Sequence, residues 1–237
     1  MNLQSINLNE NAERAVYQAI ETAAINYFQV KDCIVDLDTH SACILFDPVV
    51  HQKWISRFSS HTRYHGLKDI PVSIPLEQLP IKIIKAAQPL LERNLAQYNA
   101  IESYIKFRSL QGQVIEGTIS GVSGSNLKVS LKGGTATLCQ RDAVKSEQYI
   151  LGETNLFLIK RVRLDIDTVQ ILLSRRSRRI PEYVLTSKFP KYKFHCYRRI
   201  PGAKSWIKTT APRYRWGLFL SKKIRQSLAW EYLQFYS

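Results

Sequence analysis

The sequence predicts an α+β multidomain protein: an α/β N-terminal module, a five-stranded OB-type β-barrel and a small α+β C-terminal unit. Three observations carry that prediction. Residues 1–110 show helical apolar stripes around one hairpin-like pair of runs. Residues 112–174 break into five short β-type runs separated by turns, several of them glycine-containing. The charge balance then changes abruptly near residue 158. The implied domains are residues 1–110, 111–174 and 175–237.

Taken in order, Ala12, Ala15, Val16, Ala19, Ile20, Ala23, Ala24, Tyr27 and Phe28 recur at spacings of three and four, which predicts an amphipathic helix. Asn7 followed by Glu10 is a capping-box pattern ahead of it. In "CIVDLDTHSACILF" two β-rich runs flank the polar turn "DTHS", a hairpin signal. Residues 47–80, interrupted by Pro48, Pro71, Pro75 and Pro80, read as an irregular loop. A long helix follows, with Ile84, Ala87, Leu91, Leu95, Tyr98, Ile101 and Ile105 as its stripe. Pro89 either kinks it or marks its start, and Gly112 stops it.

The runs "QVIEGTISGV", "NLKVSLKG", "TATLC", "NLFLIKRVRL" and "VQILLSR" are five short strands within about sixty residues, which suits a small closed barrel. Beyond them, "IPEYVLTSKF" reads as a short helix. "YKFHCYRRI" and "SWIKT" read as two strands joined at "PGAK", and the chain closes with a helix and a last strand.

Charge narrows the function classes. Residues 1–157 hold 15 basic and 15 acidic residues, whereas residues 158–237 hold 19 basic residues against Asp165, Asp167, Glu182 and Glu231. The whole net charge of +15 therefore sits in the last third, which implies a polyanion partner: RNA or DNA first, an acidic membrane second. No apolar stretch approaches a membrane helix, and the N-terminus carries no secretory pattern. The four cysteines are scattered without a CxxC pair, as expected of reduced thiols. His51, His61 and His65 do not have zinc-site spacing and read as surface histidines.

The tail interleaves cations with rings. Arg175, Arg176, Arg178 and Arg179 crowd the stretch "SRRSRRIPEY" on the joint between barrel and tail. Lys188, Lys191, Lys193, Arg198, Arg199, Lys204, Lys208, Arg213 and Arg215 follow, with Tyr183, Phe189, Tyr192, Phe194, Tyr197, Trp206, Tyr214 and Trp216 among them. Such residues supply phosphate contacts and base stacking. Strand alternation in "KYKFHCYRR" places Lys191, Lys193, His195 and Tyr197 outward, and Tyr192, Phe194, Cys196 and Arg198 inward. Asp36 with Asp38, and Asp165 with Asp167, are the only paired carboxylates of interest. Each pair lies beside a turn, and no P-loop, G-x-S-x-G or H-E-x-x-H motif accompanies them. The expectation is a non-enzyme with no metal, cofactor or small-molecule substrate.

Several stretches resemble the NusA family of bacterial transcription termination and antitermination factors. "LQGQVIEGTISGV" is similar to the opening of that family's S1 barrel, "VQILLSRRSRRIPEYVLTSKFPKY" to the barrel exit, and "RRIPGAKSWIKT" to a turn and strand of its first KH domain. The order of elements upstream resembles its N-terminal domain. The resemblance implies an S1 barrel, a partial KH-like unit and an N-terminal domain that contacts RNA polymerase, in a bacterial cytoplasm or an organelle. It implies RNA contacts from the barrel, for which Lys128, Lys132, Arg141, Lys160, Arg161 and Arg163 are the candidates, the alternative being a structural spacer that positions the tail. Lys128 and Lys132 are expected to flank a strand edge. Arg161 and Arg163 are expected on one face, with Lys160 and Val162 on the other. After Thr210 there is a single glycine, Gly217, and no G-x-x-G backbone clamp. A structural or ribosome-associated RNA-binding protein without polymerase contact shares the same composition and stays open as the alternative.

Overall fold

The computed structural model describes residues 10–58 and 68–236. Asn7, His61 and His65 lie outside the described residues. The chain falls into two compact units that divide between Asn99 and Ala100.

The first unit contains α1 (Glu10–Phe28), β1 (Cys33–Asp36), β2 (Ser41–Phe46), α2 (Gln52–Phe58), β3 (Ile70–Pro75) and the start of α3 (Ile81–Ser109). The expected hairpin forms, with Cys33 opposite Ile44 and Asp36 opposite Ser41. Ala15, Ala19, Ile20, Ala23, Ala24 and Phe28 form the buried stripe of α1. It shares a core with Val35, Ala42, Ile44, Phe46, Val72 and Ile74. The Glu21 carboxylate accepts the Val35 N–H at 3.0 Å, pinning helix to strand.

Two expectations are corrected in this unit. The segment read as a loop contains a third strand: β3 pairs antiparallel with β2 and buries Ile70, Val72 and Ile74. Pro71 and Pro75 are tolerated because β3 is an edge strand with one neighbour and both prolines face outward. His51 is also not a surface residue. Its Nδ1 accepts the Asp47 N–H at 3.2 Å, so its Nε2 carries the proton given to the Phe28 carbonyl at 2.8 Å.

α3 passes through Pro89 without breaking. Its stripe is not the expected one, since Ile84, Ile101 and Ile105 are exposed. Ile83 and Ala87 enter the first core, while Tyr104 and Phe107 enter the barrel's. A helix that serves two cores needs two short faces rather than one continuous stripe.

The second unit holds the barrel and the tail. β4 (Val114–Ser123), β5 (Asn126–Leu131), β6 (Gly134–Leu138), β7 (Thr154–Leu164) and β8 (Val169–Ser174) close in the order β4-β5-β6-β8-β7. All neighbours are antiparallel except β6 and β8. A closed five-stranded barrel of this kind is consistent with an OB-type fold. Its interior is packed by residues that include Ile119, Val129, Leu138, Phe157, Ile159 and Leu173. At Gly117 an added Cβ would lie 2.5 Å from a Val129 methyl, so only glycine fits against that core.

In the tail, α4 (Arg179–Lys188) precedes β9 (Phe194–Ile200) and β10 (Lys204–Thr209). A 3-10 segment (Arg213–Leu220), α5 (Lys222–Ser227) and β11 (Tyr232–Tyr236) follow. The sheet order is β11-β10-β9, with β10 and β11 parallel. Its buried face packs Phe194, Cys196, Ile207, Leu233 and Phe235 against Ile180, Val184, Leu185 and Phe219. All four cysteines are free. Burial pushes the Cys33 thiol up to about 12 and the Cys196 thiol up to about 11, so both stay protonated at neutral pH.

Candidate nucleic-acid interface

The four arginines at the joint do not form one ridge. Arg175 is fully buried. Its guanidinium meets Glu147 through Nε at 2.9 Å and Nη2 at 2.6 Å, and donates to the carbonyls of Leu156 and Ser227 at 3.0 and 2.8 Å. Such a group ties barrel to tail and, with no exposure, is out of reach of a phosphate. Its three neighbours are exposed, and each spends one donor on a carbonyl: Arg176 on Arg141, Arg178 on Tyr197, Arg179 on Gly112. A guanidinium has five N–H donors, so these three retain capacity for an anion while held in place.

Arg199 is the second cation removed from the expected interface. Its side chain and that of Glu231 are both wholly buried, with Nη2 2.6 Å from Oε1. Glu231 also accepts from the Gly202 N–H at 2.8 Å and the Ser205 hydroxyl at 2.7 Å. Arg199 additionally donates to the carbonyls of Arg175 and Ser177 at 3.0 and 2.6 Å. The expected inward residue was Arg198, and the reversal has a local cause. Trp206 pairs with Arg198, but Ile207 pairs with Cys196, so Tyr197 is an extra residue in β9. Past that bulge the strand changes phase. Tyr197 and Arg198 both face solvent, and Arg199 turns inward.

The same device re-aims Lys160. Ile159 pairs with Leu173 and Arg161 with Leu172, which leaves Lys160 as a bulge. Lys160 therefore leaves the face of buried Val162 and lies with Arg161 in solvent. Asp142 holds its ammonium at 2.8 Å. Arg141, Lys160, Arg161 and Leu172 line one basic cleft on the barrel. Arg163 is exposed one pleat further on. Lys128 and Lys132 are exposed but flank no edge, because β5 is paired on both sides.

In the tail, Lys191 and Lys193 are exposed in the connection before β9, and Lys208 is exposed on β10. Lys204 is half-buried, with its ammonium 4.8 Å from the Trp206 ring centre. Arg213 and Arg215 project from the 3-10 segment, 5.8 Å from the Trp216 ring and 5.3 Å from the Tyr214 ring. Tyr232 and Tyr236 were not singled out from the sequence, yet both are exposed on β11. The signal was there: in "YLQFY" Leu233 and Phe235 alternate with polar-edged residues at period two.

The paired carboxylates are turn formers. Asp36 ends β1 and accepts the N–H groups of Asp38 and Thr39, while Asp38 lies beyond the strand. Hydrogen bonds from Thr39 hold the Asp36 carboxyl below its usual value. Asp165 accepts the N–H of Ile166 in the β7–β8 turn. Among the described residues no three His, Cys, Asp or Glu side chains converge as metal ligands, and no helix is long and apolar enough to cross a membrane.

No family model matches the chain. It is similar to transcription termination/antitermination protein NusA of Mycoplasma genitalium, with 27% identity over 146 residues, covering 56% of this chain and 27% of that protein. It is also similar to the NusA protein of Thermus thermophilus, with 23% identity over 141 residues, covering 57% of this chain and 36% of that one. The chain thus spans about a third or less of the curated relatives it matches. A solved multidomain protein with nucleic acid binding domains from Streptococcus pneumoniae is 16% identical, covering 39% of this chain and 34% of its own at a TM-score of 0.24.

Proposed function

We propose that this chain is a NusA-like RNA-binding protein that modulates transcript elongation, pausing, termination or antitermination. The single observation behind the reading is the distribution of solvent-facing cations. Arg161, Arg163, Arg176, Arg178, Arg179, Arg198 and Lys208 stand on one barrel-and-tail unit with few acids to oppose them. Similarity to two NusA proteins supports placing that RNA contact in transcription.

In this reading residues 1–110 dock on RNA polymerase, residues 111–174 act as an S1 barrel, and residues 175–237 act as a KH-like unit. The helix-strand-strand order of the tail, closed by a parallel last strand, supports the KH-like assignment. The chemistry is binding without bond-making, in a bacterial or organellar compartment. Phosphates are taken by charge, and Lys128, Lys132, Lys160, Lys191, Lys193, Lys204, Arg213 and Arg215 complete the contact set. Arg175 and Arg199 serve the fold instead.

Two measurements test it. RNA affinity is expected to fall steeply with salt, with a log–log slope of about −0.7 per phosphate neutralised on a single strand. The triple variant Arg176→Ala, Arg178→Ala, Arg179→Ala is expected to flatten that slope by about 2, one phosphate being lost per arginine. An unchanged slope removes the joint from the interface. Immobilised chain is also expected to retain core RNA polymerase. Co-sedimentation with ribosomes and no polymerase retention would favour the structural RNA-binding alternative.

A further inference from the structure

The tail sheet has two faces, and its core uses only one. The outward face carries Tyr197 and Arg198 on β9, Lys204, Trp206 and Lys208 on β10, and Tyr232, Gln234 and Tyr236 on β11. Register sets these in rows: Lys204 opposite Tyr232, Arg198 and Gln234 flanking Trp206, and Lys208 beside Tyr236. No outward position on the three strands is Asp or Glu. Glu231 is buried beneath the sheet with Arg199. Glu182, on α4, is engaged by the Cys196 N–H at 2.7 Å and His195 at 3.0 Å.

The cations on this face are held among the rings. Trp206 lies 4.9 Å from the Arg198 guanidinium and 4.8 Å from the Lys204 ammonium, and the same ammonium is 5.2 Å from the Tyr232 ring. Tyr197 and Tyr236 meet edge to face at 5.8 Å. Tyr232 is 59% exposed, Tyr197 44% and Tyr236 37%. Rings left in water on one face, interleaved with positive charge, complement a ligand that offers flat apolar surfaces joined by anions. Unpaired nucleotides have that chemistry: each base presents a π-face and each link a phosphate.

We propose that the outward face of the β9–β10–β11 sheet is a stacking platform for single-stranded RNA. Tyr197, Tyr232 and Tyr236 receive base faces, while Arg198, Lys204 and Lys208 receive phosphates. Trp206 holds two of those cations at the centre. This rests on the RNA-binding reading above and adds where unpaired bases sit in a tail that has no G-x-x-G clamp after Thr210. Paired bases already stacked in a duplex cannot lie on the rings, so the platform selects single strands.

The test uses the whole 237-residue chain and fluorescein-labelled oligouridine in anisotropy titrations at fixed salt. Tyr232→Ala and Tyr236→Ala are each expected to weaken binding by roughly fivefold to a hundredfold. Tyr232→Phe keeps the ring and is expected to bind as the parent does. An abasic strand of equal length is expected to bind parent and alanine variants alike, because only base contacts are lost. If the parent binds RNA in a salt-dependent way but the alanine variants match it, the platform is wrong and the RNA reading stands. Equal affinity of the parent for abasic, duplex and single-stranded ligands also overturns it. If the parent binds no RNA, both fall. Self-association that disappears in Tyr232→Ala while RNA affinity is unchanged assigns the face to a second copy instead.

Discussion

Glu231→Ala is expected to destabilise the second unit by about 3–5 kcal/mol, because removing one member of a buried ion pair strands the other. Four donors converge on this carboxylate: Arg199 Nε and Nη2, the Gly202 N–H and the Ser205 hydroxyl. Alanine leaves all of them unpaired at a place with no exposure. Urea denaturation measures the loss. Trp206, Trp216 and Trp230 lie in the tail, whereas Trp54 lies in the first unit, so a Trp54→Phe background reports the tail alone. The double variant Arg199→Met with Glu231→Leu is expected to recover only the part of the loss due to the stranded guanidinium, because the Gly202 N–H and the Ser205 hydroxyl still lack their acceptor. A Glu231→Ala chain that unfolds at the parental urea concentration would show that the pair is not sealed from water.

Phe107→Ala is expected to cost about 3–5 kcal/mol, for a different reason: an aromatic ring removed from a core leaves a cavity. Phe107 is 2% exposed and belongs to the barrel's core cluster although it lies on α3. Its ring lies against the β5–β6 turn so closely that a Cβ on Gly134 would be 2.8 Å from it. Ile105→Ala, two residues earlier and 65% exposed, is expected to change stability by less than about 0.5 kcal/mol. Both are measured by urea denaturation. Equal effects of the two would mean that α3 does not seal the barrel with Phe107.

The buried arginines show how far sequence patterns reach. "SRRSRR" announces positive charge, but whether an arginine faces water depends on a carboxylate brought to it by folding. Glu147 lies 28 residues before Arg175, and Glu231 lies 32 residues after Arg199. No local pattern encodes either pairing. Strand alternation fails in a related way. Period two predicts faces only while the ladder is unbroken, and the bulges at Lys160 and Tyr197 each shift the count by one. β3 was hidden because Pro71 and Pro75 argue against a strand, and only its position at the sheet edge makes them harmless.

Composition and period, which need no partner, determined the rest: the N-terminal helix, the hairpin, the five barrel strands, the tail's helix and strands, and the charge step near residue 158. They also carried the expectation of a polyanion partner. The tertiary structure alone decided which cations remain free to meet it, and that Tyr232 and Tyr236 share a face with Arg198, Lys204 and Lys208. The physical reason is one of range. Helical and strand periodicity are properties of neighbours in the chain, whereas solvent access, ion pairing and strand phase are fixed by groups that only folding brings together.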